Sequence, residues 1–80
     1  MKVIVLVRFK EEVPDAAGRV TAERLVNRGF TEVKAARVGK LIELELEGAD
    51  RDAAAARVKQ MCSQLLVNNV IEEFSIQQID

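Results

Sequence analysis

Histidine, tyrosine and tryptophan are absent from these 80 residues, and cysteine and proline occur once each. Without histidine the chain lacks the commonest general base and metal ligand. Ser63 and Ser75 therefore have nothing to activate them as nucleophiles, and a zinc site fails for want of ligands. A single cysteine excludes an internal disulfide framework and suits a reducing cytoplasm. Cys62 falls inside an apolar helical stripe, where it reads as a packing residue rather than a reactive thiol. Long apolar runs are missing too. The segment from Val3 to Val7 is bracketed by Lys2 and Arg8, too short for a secretory signal or a bilayer span. With a formal net charge of −1, nothing advertises a nucleic-acid partner. The three phenylalanines are scattered, which argues against an RNA-recognition sheet, and no Cys-x-x-Cys pair is present for soft-metal transport. Composition thus points to a soluble cytoplasmic protein that carries no catalytic, cofactor-binding or metal-binding residues of its own.

What is present is organised around residues 36–47. From Ile42 onward apolar and acidic residues alternate, the pattern of a half-buried strand. Ile42, Leu44 and Leu46 should face a core and Glu43, Glu45 and Glu47 water. Val38-Gly39-Lys40 just before them reads as a hairpin turn, with Val33 to Val38 as the strand leading in. At the start of the chain, Lys2 to Phe9 forms another strand, with Val3, Val5, Val7 and Phe9 on one face and Ile4 and Leu6 on the other. A strand apolar on both faces should be central, and if helices cover one face only, a second copy of the chain is the cheapest cover for Ile4 and Leu6.

Asp15 is placed to cap a helix over about 16–28 that stops at Gly29. Its apolar stripe is thin: Ala22, Leu25 and Val26, extended by Gly18 and Thr21. Phe30 should anchor the return to the sheet. Asp50 caps a second helix over about 51–67, in which Ala54, Val58, Met61, Cys62 and Leu65 recur at helical spacing. Asn68-Asn69 breaks it, Val70 and Ile71 dock the chain, and Glu73 to Ile79 forms a last strand with Phe74 and Ile76 on one face. The order β-α-β-β-α-β in one domain spanning 1–80 predicts an α+β, ferredoxin-like fold, a four-stranded antiparallel sheet with two helices on one face.

Two functions fit a chain of this kind. One is an obligate subunit of a larger assembly. The other is a free-standing small-molecule-binding regulatory domain of the ACT type, whose ligand loop would correspond to Pro14-Asp15-Ala16-Ala17-Gly18. Arg37 and Lys40, flanking Gly39, are either interface cations or an ordinary solvated turn. Asn68 and Asn69 are either a helix stop or interface residues.

Three stretches carry a family resemblance: MKVIVLVRFK (1–10) with Asp15-Ala16-Ala17-Gly18-Arg19; residues 33–46 with Arg37-Val38-Gly39-Lys40; and MCSQLLVNNVIEEF (61–74). In this order and spacing they resemble the PurS family, the small subunits of phosphoribosylformylglycinamidine synthase. The chain departs from the family pattern at Asn69, where proline is usual, and at Phe30 and Phe74, where tyrosine is common. The resemblance implies a non-catalytic subunit in the fourth step of de novo purine biosynthesis. A glutaminase subunit would release ammonia, and a synthetase subunit, holding ATP and magnesium, would use it on formylglycinamide ribonucleotide. The PurS-like chain would form a homodimer, with pairing of dimers left open, and bridge the two enzymes.

Overall fold

In the computed structural model, the backbone is described for residues 1–80 and every side chain except that of Gln78. Three strands and two helices form: β1 (Lys2–Phe9), α1 (Ala16–Asn27), β2 (Lys40–Glu45), α2 (Arg51–Met61) and β3 (Glu72–Ile79), with a five-residue π-helical turn, Cys62–Leu66, ending α2. The sheet is antiparallel in the order β2-β1-β3. β1 is central, as its doubly apolar sequence requires. Val3, Val5 and Val7 are fully buried or nearly so, and with Val58, Cys62 and Val67 they form the core. Leu44, Ile42 and Lys40 stand opposite Val3, Val5 and Val7, so the core face of β2 follows the alternation seen in sequence.

On β3 the register slips between Ile4 and Val5 of β1, because Val5 pairs with Ile76 and Ile4 with Gln78. That leaves Gln77 as an extra residue. Ile76 and Ile79 are an odd number apart and would face opposite ways on a regular strand; the bulge brings both against the core.

Three expectations are corrected. First, the sheet has three strands, not four, because residues 33–38 join no ladder and Gly39 makes no reversal. The chain runs straight through Gly39, whose φ is not positive, and a Cβ there would meet the Val7 carbonyl oxygen. Glycine is needed at this position for close approach to β1, not for a turn. Second, α1 lies outside the core: of its residues only Gly18 is buried, and Phe30, expected as an anchor, is exposed. Third, Leu65 is 84% exposed while Val67 is 5% exposed. The π turn is wider than an α-helical one, so the inward direction passes from position 65 to 66–67. Val70, expected to dock, is exposed as well, while the Ile71 carbonyl accepts the Lys10 N–H at 2.9 Å.

The π turn sets a stability test. At fixed protein concentration, Val67→Ala should cost about 2 kcal/mol in urea unfolding, and Leu65→Ala no more than about 0.5 kcal/mol. A regular α-helix through residue 67 would reverse that ranking.

Candidate interface at one end of the sheet

β1 ends where β2 and β3 begin, and most of the residues singled out in sequence collect there. The carboxylate of Asp15 is the hub. As N-cap of α1 it accepts the Gly18 N–H on Oδ1 at 2.8 Å, and its Oδ2 accepts the Val38 N–H at 2.8 Å. The Arg37 Nε lies 3.9 Å away. Only 4% of the Asp15 side chain is exposed. The bond from Val38, then that from Gly18, hold its pKa below the ordinary value near 3.8; desolvation opposes them and the Arg37 charge adds to them. Gly18 is fixed by the same junction, since a Cβ on it would strike the Ala36 carbonyl oxygen.

Arg37 is not at a hairpin tip. Its Nη2 donates to the carbonyls of Phe9 (3.0 Å) and Lys10 (2.8 Å), fastening residues 36–38 to the end of β1. Lys40 stands on the core-face side of β2, opposite Val7, with Nζ 3.8 Å from Glu72 Oε2. Glu72 Oε1 in turn accepts the Asn68 N–H at 2.8 Å. Asn68 Oδ1 accepts the Val70 N–H at 3.1 Å, and Asn69 Nδ2 donates to the Ser63 carbonyl at 3.1 Å. Both asparagines therefore shape the turn from the π-helical end of α2 into β3. Arg37, Gly39, Lys40 and Leu6 share the wall of an open groove of about 640 Å³ with Arg8 and Glu73. Arg8 Nε donates to Glu73 Oε1 at 2.8 Å across strands; both side chains are well exposed, so the pair adds little stability.

Ile4 and Leu6 lie on the sheet face opposite α2. Ile4 is half-buried, and Leu6, 39% exposed, is paired across the strands with exposed Leu41. Leu41 was not singled out in sequence, although it breaks the apolar–acidic alternation just before Ile42. Asp15's second role and Glu72 as a link also escaped sequence reasoning, because each depends on a partner distant along the chain; the π turn escaped because helical periodicity does not signal it. Cys62 is fully buried, and burial pushes its thiol pKa up, which suits packing. Among the described residues, no three His, Cys, Asp or Glu side chains group to hold a metal ion, and no helix is long and apolar enough to cross a membrane.

These features define a class: a small α+β protein with β2 at the edge of a three-stranded sheet and an apolar strip at Leu6 and Leu41 on the sheet face away from α2. Comparison with known proteins makes it particular. The family model of PurS, described as phosphoribosylformylglycinamidine (FGAM) synthase, matches residues 2–80, and the chain belongs to the PurS family. It is 42% identical over 73 residues to the phosphoribosylformylglycinamidine synthase subunit PurS of Bacillus subtilis, covering 91% of this chain and 86% of that one. Its fold is similar to the crystal structure of Methanocaldococcus jannaschii PurS, with a TM-score of 0.87, 30% identity and coverage of 99% and 98%. It is also similar to a chain in the structure of PurLQS from Thermotoga maritima, with a TM-score of 0.77, 33% identity and 99% of each chain covered.

The hub yields two tests. Gly18→Ala should destabilise the protein in thermal melts, although alanine is the better helix former by about 1 kcal/mol, because the clash with Ala36 outweighs propensity. Asp15→Ala should lower Tm at neutral pH. A carboxylate with a depressed folded pKa contributes stability above its unfolded value and loses it as pH falls through the folded one. The Tm gap between wild type and Asp15→Ala should therefore be constant above about pH 5 and close below the ordinary aspartate value near 3.8.

Proposed function

We infer that this chain is the small subunit of phosphoribosylformylglycinamidine synthase and serves assembly rather than chemistry. A glutaminase subunit supplies ammonia, and a synthetase subunit, with ATP and magnesium, uses it to convert formylglycinamide ribonucleotide to formylglycinamidine ribonucleotide. The small subunit acts in the cytoplasm as a homodimer that bridges the two. The observation carrying this reading is the match along nearly the full length of the chain to PurS proteins, one of them a chain of a PurLQS structure.

The interface residues are assigned by what each surface offers. Ile4 and Leu6, with Leu41 beside them, present an apolar strip on the uncovered face of the sheet. A second copy covers it, which forms the homodimer. At the end of the sheet, Arg37, Gly39 and Lys40 with Asn68 and Asn69 form the surface that meets the enzymes. This end is rigid because Arg37, Lys40 and both asparagines are already tied to their own chain, so little ordering entropy is lost when a partner docks. The same pairing speaks against a small-molecule site there, since the cations are already engaged.

The test is formation of formylglycinamidine ribonucleotide by the synthetase and glutaminase subunits, with and without this chain, using glutamine or ammonium as nitrogen source. With glutamine, product should depend on the chain; with ammonium, it should not. A reaction indifferent to the chain under both conditions would sink the assembly reading. Amino acids and purine-pathway nucleotides should leave the Tm of the isolated chain unchanged, whereas a ligand-binding domain would be stabilised by mass action.

A further inference from the structure

Two apolar side chains stand apart from the protein's other surface hydrophobics. Leu65 is 84% and Val70 80% exposed, while the next in rank, Leu41, is 55% exposed. Both belong to the end of α2 and its turn into β3. Between Lys59 and Glu72 no residue is charged, although 31% of the whole chain is, and this is the longest uncharged run in the sequence. The two side chains are carried on a braced cap. The π turn Cys62–Leu66 closes with the Val67 N–H on the Cys62 carbonyl at 3.1 Å, and it directs Leu65 outward while Val67 packs inward. The bond from Asn69 to the Ser63 carbonyl ties the loop carrying Val70 to the π turn carrying Leu65. The Asn68 carbonyl accepts from Ile71 (3.1 Å) and Glu72 (2.7 Å), its side chain holds the Val70 N–H, and Glu72 holds its own N–H. π turns within helices are frequent at functional sites.

Such a cap loses little when water is removed from it. The polar groups just named are bonded within the chain, so covering them leaves few donors or acceptors unpaired, and the bracing limits the entropy lost on docking. Apolar side chains with neutral amides and no charge are the composition of an interface core. A membrane surface or a nucleic acid would be met by lysine or arginine, and the cap has neither. A second copy fits no better. Leu65 and Val70 together offer on the order of 200 Å² of apolar surface, against about 800 Å² per partner in a stable interface. Facing itself across a two-fold axis, the cap supplies only that area. Seated elsewhere on a second copy, it makes a head-to-tail contact, which closes only as a ring. A larger protein that also grips the chain at other points remains. The surface assigned above to the enzymes lies beside the cap, through Glu72, which holds both the Asn68 N–H and Lys40.

We propose that Leu65 and Val70 are the apolar anchor by which this chain docks on an enzyme subunit of the assembly, seated together in an uncharged pocket lined by aliphatic or aromatic side chains. The proposal rests on the assembly reading above and adds to it the residues that carry the affinity. Arg37 and Lys40 are already tied to their own chain, so they gain little from a partner and serve to orient the contact. The anchor gains most, because its two side chains pass from water into a dry site, and a few such residues dominate the binding energy of an interface. Leu65, the larger and the more exposed of the two, contributes more than Val70.

The test uses the double variant Leu65→Gln with Val70→Thr, neutral and close in size to the native side chains, and Leu65→Met as the apolar control. Glutamine-dependent product formation by the synthetase and glutaminase subunits is measured against the concentration of this chain. The double variant should raise the half-saturating concentration by about tenfold or more and reach the wild-type rate at saturation, while Leu65→Met should stay within about threefold of wild type. Tm and solution mass of the isolated double variant should match wild type, because both side chains point to solvent. An unchanged half-saturating concentration overturns the anchor and leaves the assembly reading standing. So does a lower solution mass, which assigns the cap to a second copy. A wild-type chain without effect on the glutamine reaction defeats the assembly reading itself, and the anchor with it. If the double variant fails to fold, amide hydrogen exchange at wild-type residues 64–70, free and in the assembled complex, decides. Slower exchange in the complex supports the anchor, and unchanged exchange refutes it.

Discussion

The Asp15 carboxylate holds three parts of the chain in one place. It caps α1 through Gly18, receives the Val38 N–H, and lies beside Arg37, which is itself bonded to the end of β1. Backbone donors to an ionised carboxylate are among the stronger hydrogen bonds in proteins, and little of the side chain is open to water. The direction taken by residues 33–38 follows from this junction. Because Val38 is held to the helix start and Ala36 presses against Gly18, the segment runs outward along α1 instead of returning beside β2. The elongated shape, the free sheet edge and the bare side of α1 follow in turn.

The core is small and aliphatic, and it draws on only part of the chain. Val3, Val5 and Val7 meet Val58, Cys62 and Val67, so the sheet needs α2 and its π turn but not α1. A domain of this size is marginal when all its apolar surface is used. Here α1 adds only Gly18 to the buried residues, so the core has less still to draw on.

Much of the architecture was legible in the sequence. Both N-caps fall at the aspartates expected, the alternation on β2 faces as read, and β1 is central as its double apolar face demanded. Arg37, Gly39 and Lys40 line one groove with Leu6, a grouping that the sequence did not announce. Glu72 and Glu73, neighbours on one strand, point opposite ways, one toward Lys40 and the other toward Arg8. Illegible were the roles those residues play: Arg37 as a backbone clamp, Asp15 as a junction, Leu65 turned out to solvent. Periodicity carries a helix forward at a constant angle, and nothing in the residues 62–66 announces the wider turn.

The sequence by itself determined the local elements, because capping, alternation and helical spacing are set by neighbours a few residues apart. It also determined which chemistry the chain lacks, since side-chain inventory needs no structure. The tertiary structure decided whether the chain reverses at Gly39. A glycine there serves a turn and a close approach equally well in sequence, and the choice belongs to groups far along the chain: the carbonyl of Val7, the carboxylate of Asp15 and the backbone of Phe9 and Lys10. Those contacts keep residues 33–38 straight, and with that one choice a four-stranded pattern becomes a three-stranded sheet with an outstretched arm.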